Sequence, residues 1–149
     1  MDKIVSNKKL SSMLSDPSLL RDKAFVAGEW VSSNNGETFE VRNPATLEII
    51  NKVPNLGLEE TRRAIDAAYD SQKSWSSKTG KERSSILKEF YSLMMENTDD
   101  LAKIITAEMG KPLAEASGEI SYGASFIEFF AEEAKRIYGE TIPGHQANK

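Results

Sequence analysis

Few side chains in this 149-residue chain have the type and spacing that chemistry requires. The one histidine, His145, lies in a tail of Gly, Gln and Asn, where a surface role outweighs that of a general base. There is no cysteine, which removes a thiolate nucleophile, a thiolate metal site and any disulfide together. A single histidine also leaves no Ser/His/Asp set to assemble. Glu128, Glu132 and Glu133 have the look of an acid pair or metal cluster. Lys135 and Arg136 follow at once, so a solvated helix face laced with ion pairs is the simpler reading. Gly118 and Gly123 do not form a phosphate loop, because no strand precedes them and the tight Gly-rich turn is missing. Read by chemistry alone, the chain is not a complete catalyst.

What these residues sit on is clearer. Pro112–Tyr138 has no interior proline and winds into three stripes at about 100° per residue. Leu113, Ala116, Ile120, Ala124, Ile127, Ala131 and Ala134 make an aliphatic stripe. Ser117, Ser121, Ser125, Glu128, Glu132 and Lys135 make a polar one. Tyr122, Phe126 and Phe129 make a third, well around from the first. A helix lying on one core needs one apolar stripe. Two stripes predict a helix sandwiched between neighbours, with a cover for the rings that the rest of the chain does not supply. On spacing alone, rings in such a row serve packing more often than a pocket wall.

Composition sets the outer limits. Apolar residues are 39% and charged residues 28%, as in ordinary globular proteins. Net charge is −4 without a basic patch, which argues against nucleic acid and anionic membranes as partners. No apolar run reaches the length of a membrane span, and the start, MDKIVSNKKLSSML, lacks a signal-peptide core. A cytoplasmic location is the expectation.

In chain order, Ser6 or Asn7 is expected to cap a short helix through Leu14, stopped by Asp16-Pro17, with a further turn at Ser18–Arg21. Residues 1–22 read as a helical arm docked on something larger, the alternative being a frayed terminus. Lys23–Val31 reads as one strand. Asn34-Asn35-Gly36 reads as a hairpin turn, and Thr38–Asn43 and Leu47–Val53 read as two further strands, with Leu47, Ile49 and Val53 on one face. Together they predict a small three-stranded antiparallel meander. Helices are expected at Leu58–Trp75, Lys81–Glu96 and Asp100–Met109. In the first, Leu58, Ile65, Ala68 and Trp75 share a face, with Glu59 and Glu60 in its opening turn. Gly110 is a left-handed stop, Lys111 lies near the negative helix end, and Pro112 suits the start of the long helix. In Gly139–Lys149, Thr141-Ile142 has the look of a strand opening.

Three motifs then go beyond periodicity: FVAGEWV, FEVRNPAT and EMGKPLAEASGEISYGASFIEFFAEEAKRIYGETIP. Together and in this order they resemble the N-terminal part of the aldehyde dehydrogenase superfamily. ISYGASFIEFFAEEAKRIYGETIP resembles its succinate-semialdehyde dehydrogenase branch. The resemblance runs from about Ser11 to Pro143. It implies an α/β fold in the full-length family, with this portion mostly α-helical and carrying a small antiparallel meander. It implies that residues 23–149 are the incomplete N-terminal part of the cofactor-binding domain. It also implies a fragment, inactive alone, because the family's catalytic cysteine and glutamate base come later in the chain. The tail stops where the family would open a β-hairpin used in subunit contacts.

The resemblance therefore assigns no catalytic and no cofactor-binding residue here. NAD or NADP belongs to the full-length protein and is not expected to bind this portion. The partners implied are the remainder of the polypeptide or identical subunits, and a small aldehyde. Two assignments carry over by position. Tyr122 and Phe126 match the helix that borders the substrate tunnel. The backbone of Val41 and the acid Glu108 match a monovalent cation site, with an ordinary helix-end role for Glu108 as the alternative. The competing reading is a helical interaction module that binds a protein through Tyr122, Phe126 and Phe129.

Overall fold

The computed structural model describes residues 8–147; the expected cap at Ser6 or Asn7 lies outside them. A short helix, α1 (Lys8–Ser11), is followed by a 3-10 turn at Pro17–Leu19. Asp16 caps that turn by accepting from the Ser18 amide at 2.9 Å. Leu10 and Leu14 are buried with Ile50, and Val41, Ile104 and Ala107 pack around them.

The strands correct the expected meander. Lys23–Val31 is a hairpin rather than one strand: β1 (Ala24–Val26) pairs antiparallel with β2 (Glu29–Val31). Its turn is Ala27-Gly28, with φ of 55° and 84°. Positive φ at both central residues is the twist-matched geometry for a two-residue turn. Phe25 and Trp30 pair across it at 5.2 Å, and Arg21 lies over the Trp30 ring at 4.7 Å. A second hairpin joins β3 (Thr38–Arg42) to β4 (Ile49–Pro54). Among the described residues the result is two separate two-stranded sheets.

Asn34-Asn35-Gly36 is a turn, with Gly36 at φ 73°, but it links the two hairpins instead of closing one. It is tied down elsewhere. The Asn34 amide donates to Glu60 Oε1 at 2.7 Å, and Ser33 Oγ donates to the Glu37 carbonyl at 2.5 Å. Leu47 leaves the strand face on which it was expected: it sits at φ 60° and is exposed. A bulge explains the rest of that strand. Val41 pairs with Asn51 and Arg42 with Ile49, so Ile50 is the extra residue. The bulge breaks the alternation and lets both Ile49 and Ile50 be buried.

The helices are α2 (Leu58–Ser76), α3 (Gly80–Glu96), α4 (Thr98–Met109) and α5 (Leu113–Glu133). Glu60 caps α2 by accepting from the Gly57 amide at 3.1 Å. Thr79 and Glu82 form a capping box at the start of α3. Gly110 ends α4 at φ 78°. The long helix stops at Glu133, five residues short of Tyr138, and Thr141-Ile142 opens no strand.

α5 packs against α3 and α4, whereas α2 makes its main contact with β1. The aliphatic stripe of α5 does the sealing: Ala116, Ala124 and Ala131 are fully buried. Small side chains let helix backbones approach closely. A Cβ added at Gly80 in α3 would stand 2.4 Å from the Ala134 carbonyl oxygen. By contrast, Leu58, Ile65 and Tyr69 of α2 remain exposed.

Candidate functional site

The ring stripe of α5 points away from the buried seam. Tyr122 is 66% exposed, Phe126 47% and Phe129 57%. Tyr122 meets Phe126 edge-to-face at 4.9 Å, one helical turn apart. Phe129 meets Phe130 edge-to-face at 5.3 Å. Phe130 was not in the expected stripe, yet it stands four residues after Phe126 and widens the same face. That spacing was the available signal. Four adjacent exposed rings form the kind of apolar patch that marks a contact surface on a soluble protein. They offer shape and edge polarity to a ligand or neighbour.

The glutamates beside the rings are committed to ion pairs. Glu132 takes Lys88 of α3 at 2.7 Å and Lys135 at 3.1 Å. Those two ammonium groups, Lys88 first, hold its carboxyl at about 2. Glu133 pairs with Arg136 at 2.9 Å. His145 lies in the exposed tail, and Gly118 and Gly123 lie inside α5. Lys111, expected near the end of α4, pairs with Glu119 on α5.

Val41 and Glu108 come from distant parts of the sequence, and the fold brings their surroundings together. Val41 and Ala107 both pack on the Leu10/Leu14/Ile50 cluster. A Cβ at Gly110 would lie 2.9 Å from Pro44, so the end of α4 abuts the β3–β4 turn. Asn43 shapes that turn by accepting from the Ala45 amide at 2.9 Å and the Thr46 amide at 3.3 Å. Glu108 is an exposed residue overall, yet partial burial pushes its carboxyl up from the usual range. Among the described residues no group of three or more His, Cys, Asp or Glu could hold a metal. A cation here would rest on backbone carbonyls and one acid, the donor set of a hard ion.

No helix of the described residues is long and apolar enough to cross a membrane. Residues 30–149 match the aldehyde dehydrogenase family. The chain is 58% identical to a glutarate-semialdehyde dehydrogenase of Pseudomonas putida over 136 residues, covering 91% of this chain and 28% of that protein. It is 57% identical to an NADP(+) succinate-semialdehyde dehydrogenase of Escherichia coli, with the same coverage. Its fold matches the crystal structure of a succinate-semialdehyde dehydrogenase from Burkholderia pseudomallei with a TM-score of 0.87 and 53% identity, over 91% of this chain and 28% of that one. The chain thus spans little more than a quarter of the length of these relatives.

Proposed function

The chain belongs to the aldehyde dehydrogenase family, and we propose that it is the N-terminal part of an NAD(P)-dependent enzyme that oxidises succinate semialdehyde to succinate. The observation that supports this best is the shape of the match: 91% of this chain against 28% of its relatives. Both relatives are named for aldehydes that end in a carboxylate, which favours that substrate class. The absence of cysteine means that a family thiolate nucleophile must come from residues beyond these.

NAD(P), when bound, is the hydride acceptor. The residues present do not fit it. A dinucleotide sits on a parallel strand–helix–strand unit with a Gly-rich turn, and the sheets described here are antiparallel pairs. No hydride step is therefore assigned to this chain. Its contribution in this reading is a wall. Tyr122 and Phe126 border the path of the aldehyde, and the remaining rings seat the rest of the polypeptide or an identical subunit. A cytoplasmic location is part of the proposal.

Alone, the chain is expected to give no NAD(P)H with succinate semialdehyde. Co-expressed with the complementary part of a succinate-semialdehyde dehydrogenase relative, it is expected to associate and restore turnover. Turnover by the chain alone, or indifference to the complementary part, overturns the reading. The same exposed rings support a second reading, a self-sufficient interaction module, and indifference to the complementary part is what that module would show.

We also propose a monovalent cation held by the Val41 carbonyl and Glu108. The partial burial that raises the Glu108 carboxyl supports it, since a bound cation would offset that desolvation. Potassium or sodium is expected to raise the melting temperature of the chain, and Glu108→Gln to remove that response. Equal responses of the two proteins would end the idea.

A further inference from the structure

The Asn-Gly pair of the linker closes no hairpin, and the proposed function leaves it unused. Asn35 and Gly36 stand exposed between the two hairpins. The Asn35 side chain folds back on the backbone, its Oδ1 accepting from the Glu37 amide at 2.9 Å. The ring closed by this Asx turn contains both Cγ of Asn35 and the Gly36 nitrogen, and confines them to one side of the chain. Gly36 carries no Cβ, and an added one would meet nothing within 4 Å. The Gly36 amide donates to the Ser33 carbonyl at 3.1 Å. Next in the chain, the Asn34 amide is held by the buried Glu60, whose other oxygen caps α2 at Gly57.

We propose that Asn35 is a site of spontaneous covalent modification, converting through a succinimide to aspartate and isoaspartate, and that the conversion loosens the tie between this turn and α2. The proposal is independent of the enzymatic reading. The Gly36 nitrogen, its proton lost to base, attacks Cγ of Asn35. The bond from Cγ to the side-chain nitrogen breaks, and ammonia leaves. Water then opens the succinimide at either carbonyl, giving aspartate or the isomer with an extra methylene in the backbone. The Glu37 amide favours the attack, because a donor on Oδ1 stabilises the negative charge that develops there. The bond from Gly36 to Ser33 opposes it, so the turn must open for the nitrogen to react. Residues 34–37 are exposed, and segments with few buried contacts open locally at small cost. The other asparagines are worse placed. Asn43 precedes Pro44, which has no N–H to lose. Every remaining asparagine precedes a residue with a side chain, which crowds the attacking nitrogen. The consequence is local. A methylene added at residue 35 displaces both hydrogen bonds of the turn, one residue from the amide that Glu60 holds.

Peptide mapping by mass spectrometry of the 149-residue chain, aged at mildly alkaline pH, reads the modification. Asn35 is expected to deamidate before any other asparagine, faster as pH rises, with isoaspartate among the products. Asn35→Gln, whose longer side chain closes the corresponding ring poorly, is expected to lose the conversion at that position. The isoaspartate-bearing fraction is expected to melt below Asn35→Asp, which carries the same charge without the extra methylene. Earlier conversion at another asparagine would overturn the site. So would an Asn35 that stays intact in the folded chain while converting in urea. Aspartate without isoaspartate would overturn the succinimide route, and equal melting temperatures the loosening of the tie.

Discussion

The two sides of α5 invert the usual relation between size and burial. The side turned to α3 and α4 is closed by alanines that are fully buried, while Tyr122, Phe126, Phe129 and Phe130 stand exposed on the other. Burying a ring yields far more than burying a methyl. A chain folding only for itself would be expected to bury the rings first. The alanines do something that rings cannot: they let helix backbones come close enough for Gly80 to sit against the Ala134 carbonyl. One side of the helix therefore serves the chain's own stability, and the other is left exposed. α2 repeats the lesson on a smaller scale, with Ile65 and Tyr69 left uncovered.

The comparison breaks most readily on the sealed side. Ala124→Leu places a branched side chain in a seam with no room and is expected to destabilise the chain by about 3 kcal/mol, the upper range for overpacking. Urea unfolding measures this, and a loss below about 0.5 kcal/mol, typical of surface substitutions, would mean that the seam is not close-packed. A smaller effect is expected where Lys88 crosses from α3 to Glu132. The folded-state pKa of Glu132 is depressed from an ordinary 4.5 to about 2. Its contribution to stability is therefore full above 4.5 and is lost as pH falls from there toward 2. Lys88→Met is expected to flatten that part of the melting-temperature profile, leaving the slope due to Asp16, Glu60, Glu82 and Asp100, whose carboxyls are also held low. Superimposable profiles would show the pair to be idle. The least effect on folding belongs to the exposed side. Phe126→Ala is expected to change stability by less than about 0.5 kcal/mol while reducing the binding of a hydrophobic dye. A large stability loss would mean that the ring is part of the chain's own core.

How far these features could be read beforehand depended on whether they were local. Gly110 and Pro112 fixed the α4–α5 junction because each is suited to one backbone state there. α5 ran past its real end in the reading because no breaker occurs before Gly139. Its stop at Glu133 coincides with the approach of Gly80 to Ala134, a tertiary contact without a local signature. The strands failed for a related reason. Ala27 takes a left-handed turn position that favours Gly or Asn, so Ala27-Gly28 passed as strand interior. The exposure of Tyr122 and Phe126 followed from their angular distance from the alanines. The nearness of Val41 to the end of α4 came from motif resemblance, not from any period. The hydrogen bond from the Asp16 amide to Asp100 had no advance sign, since a backbone amide and a carboxylate 84 residues apart leave no pattern.

The alanine seam has one more consequence, and it concerns the order of assembly. Alanine has no side-chain torsion to freeze, so closing α5 onto its neighbours forfeits almost no rotational freedom at the contact itself. The three helices can therefore dock while every long side chain around them is still turning. In the proposed reading, the aromatic rings then choose a conformation only when a second surface meets them.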